Sequence, residues 1–166
     1  MKILRLTALD RKLKRLPDAA REEMREAIGK AADEIVAMAK SLVPAGSGGR
    51  AGSKKASAHG ALRDSIGWTW GRPPRGSITL GKVAASQLAT DLTATIFAGN
   101  NEAFYARWAE FGTAPHTVGG KFAGAKHPGT TAQPFFYPAY RANRKTAGRL
   151  IRAGQRRAAK KVATSS

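Results

Sequence analysis

The chain has 166 residues, a length for one ordinary domain, and 42% of them are hydrophobic, enough to build a core. Lysine and arginine total 29 against 11 acidic residues, a formal net charge of +18; so large an excess repels itself and points to a polyanion or an acidic partner surface. The absence of cysteine excludes disulfides, thiolate zinc sites and cysteine nucleophiles, and no apolar stretch approaches the roughly 20 residues of a membrane span, so a soluble protein made in the cytoplasm is expected.

Residues 1–16 are basic and broken by charges every few positions, which reads as an extension without a signal-peptide core. Asp10 to Leu16 forms a short helix of its own or continues into the next one. From Pro17 to Leu42, Ala20, Met24, Ala27, Ile28, Ala31, Ile35, Met38, Ala39 and Leu42 recur at steps of three and four, one stripe of an amphipathic helix. Pro17 suits a first helical turn, and Asp18, Glu22 and Glu23 favour the positive end of the helix dipole. Gly29 interrupts the stripe and allows close packing there. Residues 45–60 are small, polar and basic without periodicity, and read as a flexible loop.

The centre reads as antiparallel β. After a helical turn at Ala61–Ser65, Ile66, Trp68 and Trp70 alternate with Gly67, Thr69 and Gly71, the period of a half-buried strand. A turn over Gly71–Gly76 leads to two weaker strands, Ser77–Leu80 and Lys82–Ala85. Asp91–Ala98 alternates Leu92, Ala94 and Ile96 against Thr93, Thr95 and Phe97. A break at Gly99-Asn-Asn101 precedes a short helix over Glu102–Phe111, with Phe104, Trp108 and Phe111 on one side. Residues 112–133 read as a second long flexible loop, and Pro134–Pro138 as an anchored turn. A basic helix then runs from Pro138 to about Val162, with Ala142, Ala147, Leu150, Ile151, Ala158 and Val162 as its apolar face. The expected fold is a single α+β domain: one small antiparallel sheet of about four strands flanked by long N-terminal and C-terminal helices, its alternating strands hiding one face beneath them.

The charge is unevenly spread: residues 1–60 carry +6, residues 61–110 only +1, and residues 111–166 carry +11 with no acidic side chain. Arg141, Arg144, Lys145, Arg149, Arg152, Arg156, Arg157, Lys160 and Lys161 occupy most positions of the last helix. They either face nucleic acid, holding phosphates without sequence preference, or lie on a solvated or subunit-paired face. The near absence of Asn and Gln among them argues against base readout. The aromatics Trp68, Trp70, Phe104, Tyr105, Trp108, Phe111, Phe135, Phe136 and Tyr137 read as core rather than as stacking platforms. His59, His116 and His127 lie in glycine-rich stretches without metal-ligand spacing. Neither a nucleophile elbow, a phosphate loop nor a dinucleotide fingerprint occurs, and Glu110 stands alone where a hydrolase would need paired carboxylates. Neither catalysis, a cofactor nor a metal is expected; an enzyme would need Glu110, His116 and His127 to converge.

One constellation is distinctive. Tyr105-Ala-Arg-Trp108-Ala-Glu110-Phe111-Gly112-Thr113 is followed by His127-Pro-Gly129 and then by Gln133-Pro134-Phe135-Phe136-Tyr137-Pro138-Ala139. With Ala39-Lys-Ser-Leu-Val-Pro44 and Gly60-Ala-Leu-Arg-Asp-Ser-Ile66 upstream, the pattern resembles a family of tailed-phage proteins known as tail components, neck proteins or head–tail joining proteins, over residues 30–150. The resemblance implies a structural virion protein of the neck or head-proximal tail, forming a ring of about six copies. Its partners would be neighbouring neck, portal-side or tail-tube proteins and the double-stranded DNA that passes through during ejection. Tyr105, Trp108, Glu110, Phe111, Gly112, Thr113, Pro134, Phe135 and Pro138 would be structural or subunit-contact residues: Gly112 stopping a helix with left-handed backbone, Phe135 and Phe136 wedged between the last helix and the sheet, and Glu110 bonding backbone donors or a neighbour's arginine. The alternative is a cellular, sequence-independent basic nucleic-acid-binding protein.

Overall fold

A computed structural model describes residues 18–44, 57–84, 92–101 and 103–164. The expected N-terminal extension and most of the 45–60 segment lie outside the described residues. The element order is α1 (Asp18–Leu42), α2 (Ser57–Asp64), β1 (Gly67–Trp70), β2 (Ile78–Ala84), β3 (Thr93–Ala98), α3 (Ala106–Phe111), β4 (His116–Thr117), a 3₁₀ turn (Gly120–Phe122), β5 (Lys126–His127) and α4 (Phe136–Thr164). This is the expected α+β architecture of two long helices and small antiparallel sheets.

The strands divide differently from the expected four-stranded sheet. Three form the main sheet in the order β1-β3-β2, both pairings antiparallel, and β4 with β5 makes a separate two-stranded ribbon. The two weak strand candidates after the turn are one strand, β2, whose register shifts between Thr79 and Gly81; a bulge lets one strand absorb an extra residue and still pair. Helix α2 begins at Ser57, so the end of the expected 45–60 loop is helical. Residues 112–133 are likewise not a free loop: they fold into the ribbon and its 3₁₀ tip. The short helix starts at Ala106 rather than Glu102.

β3 is the central strand, and position explains its burial. Ala94, Ile96 and Ala98 are fully buried, yet Thr93 and Thr95 are buried too, where alternation alone predicts an exposed threonine face. The Thr95 hydroxyl donates to the Gly71 carbonyl at 2.6 Å, which satisfies it there. Gly67 and Phe97 are cross-strand partners, with the Phe97 ring over the glycine. On the opposite face Trp68 and Trp70 meet edge to face with centroids 5.2 Å apart. Trp68 Nε1 donates to Asp33 of α1 at 2.7 Å, and the Arg25 guanidinium lies 4.8 Å from the Trp70 ring. These contacts dock the sheet on α1 through the polar tips and faces of the tryptophans.

The two long helices pack antiparallel, as the pairs Glu23–Arg157, Ala27–Gly154 and Met38–Asn143 show. Their interface is built from small residues. Ala20, Ala27, Ala31, Ala32 and Ala39 of α1 are buried, as are Ala139, Ala147, Gly154 and Ala158 of α4. At the crossing, a Cβ on Gly154 would stand 2.5 Å from the Ala27 Cβ, so only glycine permits this approach. The expected apolar faces need adjustment at their margins: Met38, Leu42 and Ala142 are exposed, while Ala32 and Gly154 belong to the buried stripe. Gly29 faces Trp68, and a Cβ there would make an ordinary van der Waals contact with the ring at 3.7 Å. Phe135 and Phe136 are fully buried; burying each contributes about 1.5–3 kcal/mol.

Candidate functional site

The centre of the distinctive constellation is a helix start. An α-helix leaves its first N–H groups without intrahelical acceptors, and the residues before α4, Gln133-Pro134-Phe135, supply no local Ser, Thr, Asp or Asn cap. The cap comes from α3 instead. The Glu110 carboxylate is buried and accepts from the N–H groups of Phe135, Phe136 and Tyr137, each at 2.9 Å. Pro138 has no N–H, so every donor of this first turn is accounted for. A carboxylate at this place also faces the positive end of the dipole of a 29-residue helix. Because proline is tolerated in a first turn, α4 starts at Phe136, two residues before the expected Pro138, and runs on to Thr164.

The rest of the joint is backbone. Gln133 N–H donates to the Ala109 carbonyl at 2.8 Å, and Gly112 N–H to the Trp108 carbonyl at 2.8 Å. Thr113 and Thr130 form a two-way bridge at 3.0 and 3.2 Å, with their hydroxyls 2.8 Å apart. Gly112 takes the left-handed backbone expected of it, with φ of +69°, and a Cβ there would lie 2.5 Å from the Thr130 carbonyl oxygen. The Tyr105–Thr113 and Pro134–Ala139 stretches therefore meet, and Glu110 joins them by bonding backbone donors, one of its two expected partners. Burial pushes the Tyr105 phenol above its ordinary value, against a smaller opposing pull from its backbone contact with Leu62.

The aromatics do not all enter the core. Phe135 and Phe136 do, Trp68, Trp70, Tyr105 and Tyr137 are half-buried, but Phe104, Trp108 and Phe111 are 59%, 50% and 55% exposed. The expected one-sided arrangement holds, with Phe104 and Trp108 edge to face at 5.5 Å and Phe111 against Tyr137 at 5.7 Å. That side faces outward because Glu110 takes the inward position of so short a helix. Beside it, α3 and the ribbon enclose a cleft of about 870 Å³ lined by Tyr105, Trp108, Thr113, His116, His127 and Gln133, among others.

His116 and His127 are directly opposed in the ribbon and stack with centroids 5.0 Å apart, a proximity that their eleven-residue separation did not suggest. Their Nδ1 atoms are both engaged: His116 Nδ1 with the Ala114 carbonyl at 3.0 Å, and His127 Nδ1 as acceptor from Gly129 N–H at 3.0 Å. No group of three His, Asp or Glu side chains suited to a metal occurs among the described residues. The two histidines line the cleft, whereas the Glu110 carboxylate is directed at the α4 N-terminus.

All nine cationic side chains of α4 are exposed, but two have an internal partner. Arg157 Nε and Lys161 Nζ lie 2.8 and 2.7 Å from the Glu23 carboxylate of α1. Their hydrogen bonds, Lys161 first, hold the Glu23 carboxyl below its ordinary value. Arg144, Lys145, Arg149 and Arg152 surround Gly148 in an open groove of about 660 Å³. Arg141, Arg156 and Lys160 are exposed along the same helix.

Residues 7–112 match the family described as "Bacteriophage HK97-gp10, putative tail-component". The chain belongs to this family of phage tail components. The match takes in Ala39–Pro44, Gly60–Ile66 and Tyr105–Gly112 of the constellation and ends before Pro134–Ala139 and α4. The HK97-gp10-like part thus contributes α1, the main sheet and the Glu110 cap, and the basic helix that Glu110 caps lies beyond it. No curated protein and no solved structure matches the chain. Among the described residues, no helix is long and apolar enough to cross a membrane.

Proposed function

We propose that the protein is a structural component of the virion neck, or of the head-proximal end of the tail, assembling as a ring of about six copies around the path of double-stranded DNA. The observation that carries this reading is the exposed cationic face of α4 on a member of a tail-component family: seven of its cations have no acidic partner among the described residues, and no acidic residue follows Glu110. Such a face, placed on a channel wall, holds phosphates loosely and without sequence preference, and lets DNA move. The chemistry of the site is structural. Its buried carboxylate is committed to three backbone donors, and a group so engaged caps a helix rather than moves protons.

Sedimentation of the full chain, with detection of the protein in purified particles, tests the proposal. It requires a discrete oligomer near six copies and the protein's presence in particles. A chain that stays monomeric, is absent from particles and binds DNA with an affinity falling steeply in salt would instead be the basic nucleic-acid-binding protein of the alternative reading.

A further inference from the structure

The long helices hold a third glycine, and the fold of one copy does not require it. Gly148 lies in the interior of α4, where glycine is a poor helix former. Unlike Gly154, it does not admit a neighbouring helix. The three atoms nearest to a Cβ placed there all belong to the Arg152 guanidinium, the closest at 3.4 Å. The missing side chain instead opens the floor of the groove of about 660 Å³ between Arg144, Lys145, Arg149 and Arg152.

These four cations have no acidic partner among the described residues, and no acidic residue follows Glu110. Arg144 and Arg152 stand about one helical turn to either side of Gly148. Lys145 and Arg149 are four residues apart on the same helix, a spacing at which like charges repel. Two guanidiniums are already placed: Arg149 donates to the Thr146 hydroxyl at 3.1 Å, and Arg152 lies against Gly148. Donors placed around a floor without a side chain suit a compact anion whose oxygens accept from guanidinium forks, and phosphate is such an anion.

We propose that the Gly148 notch seats one phosphate of the DNA backbone. The inference rests on the DNA-channel reading and names the point on α4 at which the strand is held. A backbone phosphate is favoured over a free one because the cations do not stop at the groove. Arg141, Arg156 and Lys160 extend the row on the side away from the buried Ala147, Gly154 and Ala158. From Arg141 to Lys160 the helix spans roughly 28 Å, far longer than one small anion and suited to a polymer of phosphates.

Fluorescence anisotropy of a labelled DNA duplex tests this with two variants of the full chain that leave its charge unchanged. Gly148→Leu fills the notch. Ala159→Leu adds bulk at an exposed position about three turns further on and on the same face, outside the groove. Gly148→Leu should bind duplexes of unrelated sequence about threefold or more weakly and flatten the dependence of log affinity on log salt by about 0.9. It should melt no lower than the parent, and Ala159→Leu should bind as the parent does. Inorganic phosphate, compared with chloride at equal ionic strength, should displace duplex from the parent better than chloride does and lose that advantage on Gly148→Leu. Equal duplex affinity of Gly148→Leu and the parent, or an equal loss in Ala159→Leu, overturns the proposal. Competition by inorganic phosphate with duplex affinity untouched by Gly148→Leu would make the notch a site for free anion and overturns it too. If duplex binding then still falls when Arg144, Arg149 and Arg152 are replaced with Gln, the cationic channel face stands without the seat. A parent chain that binds no duplex removes both.

Discussion

At the scale of single residues, Glu110 does the most specific work. Its carboxylate replaces a local N-cap for α4 and ties α3 to that helix, so its loss strands three N–H donors at a buried helix start. Glu110→Ala should therefore lower unfolding free energy by about 3 kcal/mol or more, read as a shift of the urea midpoint. Glu110→Gln should cost less, since it keeps one acceptor oxygen but presents an amide donor to a donor. This role was half legible in the sequence. A lone acid in an aromatic helix excluded paired-carboxylate chemistry and suggested backbone partners, but nothing local shows that Phe135, twenty-five positions on, supplies them. The outward aromatics were illegible for the same reason. Helical spacing puts Phe104, Trp108 and Phe111 on one side, and only the inward placement of Glu110 decides which side meets solvent.

At the scale of elements, two of the three glycines in the paired long helices, Gly29 and Gly154, have opposite meanings. Gly29→Ala has space beside Trp68 and removes a poor helix former, so it should stabilise by about 0.5–1 kcal/mol. Gly154→Ala places a methyl against Ala27 and should destabilise by about 1–3 kcal/mol; thermal melts of both variants check the contrast. The stripe of α1 was readable because Ile and Met mark it. On α4 the expected face held Ala147 and Ala158 correctly but missed Ala139 and Gly154 and included the exposed Ala142, because hydropathy barely distinguishes its buried small residues from its exposed ones. The ribbon escaped for a related reason: two residues per strand carry no period, and its order comes from the Thr113–Thr130 bridge. The ion pairs that close the far end of the helix pair add a pH dependence. Glu23 is more acidic folded than unfolded, so its contribution is intact above the ordinary glutamate value and lost as pH falls through and below it. Acid titration of stability should show this component in the parent chain and not in Glu23→Gln.

At the scale of the whole molecule, the largest charge excess, +11, falls after residue 110, with nine of those cations on α4, and it is this helix, beyond the family match, that Glu110 starts. If the outer face of α4 meets phosphates, replacing Arg144, Arg149 and Arg152 with Gln should weaken duplex binding for all sequences alike. It should also flatten the dependence of log affinity on log salt by roughly 0.9 for each phosphate that is no longer neutralised, while Arg157, held on Glu23, should contribute less. The segregation was plain from composition; that Arg157 and Lys161 pair with Glu23 of α1 was not, because the antiparallel pairing of helices more than a hundred residues apart leaves no local trace. The most direct test of the account is an electron-microscopic reconstruction of the assembled full-length protein. The account requires a closed ring of about six copies with Arg144, Arg149 and Arg152 lining the channel. A reconstruction with those arginines on the outer surface, or fields of isolated single copies at every concentration, would contradict it.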